Sequence, residues 1–300
     1  MTATPPNHAS PSRFPHPEAA SASPAPAAES AAHPAAVVPR VRLIAIGDEI
    51  LSGRRQDQHF SKLIDLLQAR GMRLHAAEFI SDDEDDIVAC LQRSFATPDI
   101  VFCCGGIGAT PDDRTRQAAA RALGLGLALH PEAARLISER CAETAAKGQG
   151  SADMSTPENQ QRLQMGVFPV GAEIIPNSYN RIPGFFIQRH SFMPGFPVMA
   201  HAMMAWTLDT RYARWHHQEI RIEHSFLVFG LPESRITPAL ESLEQRWPGI
   251  RAFSLPNVGD RGGHPHIELG VKGEPQAAAQ ALAWLRDQVL SLGGGLNPPA

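Results

Sequence analysis

The chain has 300 residues, 43% of them hydrophobic and 19% charged, enough for one large domain or a large one with a small one. A formal net charge of -4 spreads no basic field over the surface. That excludes non-specific attachment to nucleic acid or an anionic membrane as the main task, so any anion site has to be local.

Four cysteines, two adjacent at Cys103 and Cys104, show neither a disulfide scaffold nor the spacing of a zinc site. No apolar run reaches the ~20 residues that span a bilayer, and no basic and apolar leader opens the chain. The expectation is a soluble, cytoplasmic protein without a membrane partner.

Residues 1–39 are nearly all Ala, Pro, Ser and His and are expected to form a disordered tail. From Val41 the run Val-Arg-Leu-Ile-Ala-Ile predicts a buried strand ending at Gly47. Phe60, Leu63, Ile64 and Leu67 recur at helical spacing before a stop at Gly71. Residues 73–80 read as a second strand, Ile87, Val88, Leu91 and Phe95 as one face of a second helix, and residues 99–103 as a third strand running into glycines. This alternation predicts an α/β fold, a doubly wound and mostly parallel sheet whose ligand sits at the carboxyl ends of the strands.

Two helices are expected within residues 131–165, the second opening at Thr156 and Pro157. Short strands at 173–175 and 185–189, a loop between them, a turn at 193–197 and a helix over 198–208 follow. After Thr210 the predicted order is strand 218–230, helix 232–247, strands 251–255 and 266–272, and helix 275–292. The domain reading is an α/β domain over 40–210, a smaller C-terminal α+β sandwich over 211–292, and a flexible terminus at 293–300.

The stretch Cys-Gly-Gly-Ile-Gly-Ala-Thr-Pro-Asp-Asp-Arg-Thr, residues 104–115, carries most of the chemistry. Missing side chains at Gly105, Gly106 and Gly108 let backbone amides approach an anion, with Thr110, Thr115 and a helix N-terminus beside them. The loop lacks the Walker lysine and the G-x-G-x-x-G spacing. A tight packing turn is the competing explanation. Asp112 and Asp113 also suit the dipole of the following helix. Asp82, past the second strand, is expected on the same rim, and acids aimed at a phosphate site point to a bridging divalent cation, with magnesium favoured. Gly47, Asp48 and Glu49 end the first strand on that rim, Asp57 and His59 follow, and Pro194 and Gly195 form either another wall or only a turn. Asn177 and Asn180 either bond a polar ring or make turns.

Several motifs in register make the chain resemble the CinA-like (competence/damage-inducible protein A) N-terminal domain, a molybdopterin-binding fold. They are GDEILSG at Gly47, Asp57, Ile80-Ser81-Asp82, CGGIGATPDDRT at Cys104, Asn159-Gln160-Gln161, Ile182-Pro183-Gly184-Phe185 and Met193-Pro194-Gly195-Phe196-Pro197. The resemblance covers most of residues 41–290 and implies binding of a phosphorylated pterin or a nucleotide diphosphate. It also implies metal-dependent ADP-ribose pyrophosphatase activity, with Asp82 and Asp113 as metal-holding and catalytic acids and Glu49 assisting. The alternative it leaves open is a catalytically silent module that carries molybdopterin. The family's amidase domain is not matched, so deamidation is not expected, while related folds often self-associate as homo-oligomers. Five positions depart from the family pattern: Cys104 for a hydroxyl residue, Ala109 for proline, Arg114 for leucine, His59 for asparagine, and Val198 or Met199 for a glutamate. Nucleic-acid binding by the small sandwich is not expected, since residues 257–264 offer only Arg261 as a fixed cation and no aromatic for stacking.

Overall fold

The computed structural model describes residues 38–218, 222–259 and 263–298. The tail expected at 1–39 therefore lies outside the described residues up to position 37, as do Arg261, the start of the strand expected at 218–230, and residues 299–300.

The first part of the chain runs β1 (Val41–Ile46), α1 (Asp48–Leu51), α2 (His59–Gln68), β2 (Leu74–Ile80), α3 (Glu84–Phe95), β3 (Ile100–Cys104) and α4 (Thr115–Leu123). Next come β4 (Leu127–Leu129), α5 (Pro131–Ala146), α6 (Pro157–Leu163), β5 (Val167–Pro169), β6 (Glu173–Ile175), β7 (Gly184–Ile187), β8 (His190–Met193) and α7 (Pro197–Arg211). The helix signals in the sequence act as expected. Asp83 accepts from the Asp85 and Asp86 amides to cap α3, Thr156 caps α6 with Pro157 in its first turn, and Gly124 closes α4 at φ 66°.

Six strands form the main sheet in the order β2-β1-β3-β8-β7-β6, parallel from β2 through β8 and antiparallel at β7 and β6. Both faces of β1, β3 and β8 are buried, while β2 at the edge is partly exposed. Alternate residues of β1 and β3 point to opposite sides. Leu43, Phe102 and Cys104 pack with α2 and α7 residues such as Leu63, Leu67, Met203 and Leu208. Ile44, Val101 and Cys103 pack with Ile87, Leu91, Ala118 and Ala119 of α3 and α4. Phe185 extends this second half-core by stacking on Phe192 at 4.4 Å and Phe168 at 4.9 Å between centroids.

Two departures from the sequence reading matter. The strand expected at 185–189 stops at Ile187, the chain reverses through Gln188 at φ 53°, and β8 pairs parallel with β3 where no strand was expected. Its His190 and Ser191 are almost fully buried, and His190 Nε2 meets Ser94 Oγ of α3 at 2.7 Å, so a polar pair sits where an apolar run would have announced a strand. The short antiparallel pair β4–β5 was likewise not anticipated.

The remaining elements are β9 (Ile222–Val228), α8 (Glu233–Arg246), β10 (Arg251–Asn257), β11 (His266–Gly273) and α9 (Pro275–Ser291). They form an antiparallel sheet of order β10-β11-β9 with a core of its own, in which Val228, Leu269 and Val271 meet Ile236, Leu243, Leu285 and Val289 of the two helices. Among the described residues no helix is long and apolar enough to cross a membrane.

Candidate functional site

The four parallel neighbours β2, β1, β3 and β8 all end at one edge of the sheet. That edge collects Gly47 after β1, Asp82 after β2, residues 104–115 after β3, and Pro194 and Gly195 after β8. The strand ends are tied together directly: the Gly47 amide donates to Ile80 O at 3.1 Å and the Gly105 amide to Met193 O at 3.0 Å.

The glycines of the loop are there for packing as well as for open approach. Gly105 takes φ 110°, and a Cβ on it would lie 2.1 Å from the Ile46 carbonyl oxygen. A Cβ on Gly106, at φ 66°, would lie 2.1 Å from Thr115 Oγ1. The tight packing turn is therefore part of the explanation, and the glycines alone do not define a ligand site.

What does define one is the orientation of the peptide groups. The Gly105 carbonyl accepts from Thr115 Oγ1 at 3.0 Å and the Gly106 carbonyl from the Thr115 amide at 3.0 Å. Arg116 Nη2 donates to Gly108 O at 2.6 Å, and Gln161 Nε2 to Ala109 O at 2.6 Å. A trans peptide points its N–H away from its carbonyl. Holding these carbonyls sets the amides of Gly106, Ile107, Ala109 and Thr110 on the opposite side of their peptides, where the Thr110 amide meets Asp113 Oδ2. Among the described residues the amides of Gly106, Ile107, Gly108 and Ala109 have no hydrogen-bond acceptor. Partly buried amides of this kind need a partner, and successive ones make an anion cradle.

Arg116 is the residue the sequence reading missed. Only 4% exposed, it also donates to Gln164 O of the segment after α6, and burial lowers its pKa while Asp113 pulls it back up. Beside it, a cavity of about 270 Å³ lies along Thr110, Asp113, Arg116, Gln117 and Gln161. The buried Gln117 Oε1 and Arg116 Nε have no partner there.

The acids divide into two roles. Asp48 and Asp82 clasp each other: the Asp48 amide donates to Asp82 Oδ2 at 2.9 Å and the Asp82 amide to Asp48 Oδ1 at 3.4 Å. Partial burial raises the Asp82 carboxyl above its usual range. The Asp48 amide opposes this rise, and the charges of Asp48, Glu49 and Asp112 add to it. Asp113 instead turns inward, its Oδ2 accepting from the Thr110 amide at 2.9 Å and the Thr110 hydroxyl at 2.5 Å. The loop acid whose charge Asp82 feels is thus Asp112. Asp57 caps α2 through the His59 and Phe60 amides at 3.1 and 2.8 Å. His59, buried and held neutral mainly by desolvation, reaches Gly195 O at 3.2 Å and packs edge-on against His201 at 5.4 Å. Cys104 is buried at the end of β3, its thiol pushed far up by burial and by the charge of Asp57. Asn177 bonds Asn180 and the Ile182 carbonyl at 2.8 and 2.9 Å, which makes both asparagines turn formers.

Among the described residues no three or more His, Cys, Asp or Glu side chains are grouped so as to hold a metal ion. Asp82 Oδ1 and Asp113 Oδ1 nevertheless have no hydrogen-bond donor among the described residues. Hard oxygens beside repelling carboxylates fit a cation that takes the rest of its shell from phosphate and water, as magnesium does.

Comparison with known proteins places the chain in a family. The family described as "Probable molybdopterin binding domain" matches residues 42–212, from β1 through the end of α7. A CinA-like protein of Anaeromyxobacter dehalogenans is 31% identical over 264 residues, covering 85% of this chain and 60% of its own. The chain spans 60% of the length of that relative and of its counterparts in related strains. A protein of Aeropyrum pernix is 27% identical over 270 residues, covering 86% of this chain and 97% of its own. Among solved structures, the CinA protein of Thermoplasma acidophilum matches at 24% identity and a TM-score of 0.48, over 57% of this chain and 97% of that one. The chain belongs to the family of the molybdopterin binding domain, and within it is CinA-like in sequence.

Proposed function

We propose that this edge binds a phosphorylated pterin or a nucleotide diphosphate, its phosphates received by the amides of residues 106–109. The observation that carries the reading is the run of amides without acceptors among the described residues, beside carbonyls that Thr115, Arg116 and Gln161 hold. In this reading Gly47, Asp48, Asp57, Thr110, Pro194 and Gly195 form the walls, and Asp82 and Asp113 would hold magnesium or a similar ion. Such an ion, when bound, polarises a diphosphate and lowers the pKa of an attacking water. The chain's own residues do the rest: the cradle fixes the phosphates, Asp57 fixes the start of α2, and Glu49 or Asp48 orients the water or accepts its proton. The site belongs to a domain over residues 40–210, with 211–292 a separate small domain.

The proposed activity is metal-dependent hydrolysis of the ADP-ribose diphosphate. Incubating the protein with ADP-ribose and Mg²⁺ or Co²⁺ should release AMP, and Asp113→Asn should abolish the release. A second reading, a carrier that binds molybdopterin without turnover, is favoured by one observation: the first turn of α7, where Val198 and Met199 stand, contains no acid. Saturable molybdopterin binding by a wild-type protein that forms no AMP would decide for the carrier.

A further inference from the structure

A second cavity, of about 300 Å³, opens at the opposite edge of the sheet. It is lined by Pro39 just before β1, Ile100 at the start of β3 and Arg189 just before β8, which are the amino ends of the parallel strands. Five residues of β3 separate it from the glycine loop, a span of ~17 Å, so it is not part of the site described above.

Its lining is cationic and aromatic. Arg189, Arg211 and Arg214 border it together with Phe186, Tyr212 and Trp215. Burial raises the pKa of the Tyr212 hydroxyl to about 12, a rise that the charges of Arg211, Arg189 and Arg214 oppose. Arg211 is paired with Glu173 at 2.9 Å and lies over the Phe186 ring at 3.9 Å, yet its Nε is buried without a partner. Arg189 is anchored by the Pro98 carbonyl, and Arg214 lies over Trp215 at 5.0 Å. Among the described residues neither has a carboxylate partner, and the residues that line the cavity include no acid, so two cations border one concave space while the third is paired with Glu173.

Guanidinium groups that share a hollow are suited to phosphate oxygens, which they bind through paired N–H donors, and a Trp wall suits a flat ring. We propose that this cavity is a second ligand site that takes an organic phosphate, the anion between Arg189 and Arg214 and a planar ring against Trp215. Because this edge lies apart from the glycine loop, both sites of the domain can be occupied at once.

Hydrogen exchange of the full chain, read by mass spectrometry with ADP, adenosine and inorganic diphosphate as probes, tests this. ADP should protect residues 186–190 and 211–216 more strongly than either half-molecule alone. Arg214→Gln should weaken that protection about tenfold in ADP concentration, and Arg189→Gln with Arg214→Gln should remove it. Protection of residues 104–117 is a separate readout and reports on the glycine loop alone. No protection at 186–190 and 211–216, protection that survives the double substitution, or equal protection by diphosphate and ADP would overturn the proposal. Should the double variant fail to fold, Arg214→Gln, at an exposed side chain, carries the test alone.

Discussion

Arg116 is buried with both terminal nitrogens engaged, one on Gly108 O and the other on Gln164 O, and with Asp113 near enough to favour the charged form, while its Nε has no partner among the described residues. Charged hydrogen bonds from a desolvated group are worth more than neutral ones, and an acceptor left behind is costly. Arg116→Met should therefore cost about 2–4 kcal/mol in a urea titration and should weaken diphosphate binding at least as much as Asp113→Asn does. Wild-type stability and binding in this variant would show that the loop holds its shape without the guanidinium. The residue was illegible in the sequence because an arginine in an amphipathic helix normally reads as a solvated face. Asp48, Asp82 and the glycines were legible because residues just past predicted parallel strands must gather at one edge. The inward turn of Asp113 was not, since it depends on a three-residue hydrogen-bonded turn to Thr110.

Among the elements, β8 shows how a polar pair hides a strand. His190 stands between Phe95, 4.0 Å away ring to ring, and Ser94, with Ser191 buried beside it. Burial drops the His190 pKa from 6.5 to about 3, with Asp99 opposing weakly. Between those values the unfolded chain binds a proton that the folded chain refuses. The stability that results is whole above pH 6.5 and is lost as the pH falls towards 3, up to ~5 kcal/mol when complete. In urea titrations at stepped pH the wild type should weaken steeply below neutrality. His190→Leu should start about 1 kcal/mol lower at pH 7, with Ser94 unpaired, and fall less steeply. Parallel slopes for the two proteins would refute the assignment. By contrast β3, buried on both faces, was plain in the sequence as an apolar run, and β1 as one interrupted only by Arg42. The β4–β5 pair escaped notice because the three residues of β4 are too few to set a period and all of them are exposed.

Across the whole molecule, the hydrophobic clusters keep to their own stretches of chain. Those around the six-stranded sheet draw only on residues from Val41 to Trp215, and that of the three-stranded sheet on residues from Ile222 to Leu296. A fragment of residues 38–218 should accordingly unfold cooperatively and bind inorganic diphosphate with the affinity of the full chain; failure to fold would mean that the small sheet completes the larger one. The mostly parallel order was readable from the alternation of strands and helices, whereas the antiparallel pairing of β7 with β8 depends on a reversal at Gln188 that no glycine announces. The adjacent cysteines of β3 add an experimental handle. Cys104 belongs to the half-core beneath α2 and α7, while Cys103 and Cys90 belong to the one beneath α3 and α4, and burial holds all three thiols protonated. A thiol reagent can reach each of them only when its own side of the sheet opens. Trapping rates at Cys104 and at Cys103 thus time the breathing of the two faces separately, and a ligand seated on the loop at the end of β3 should slow both clocks.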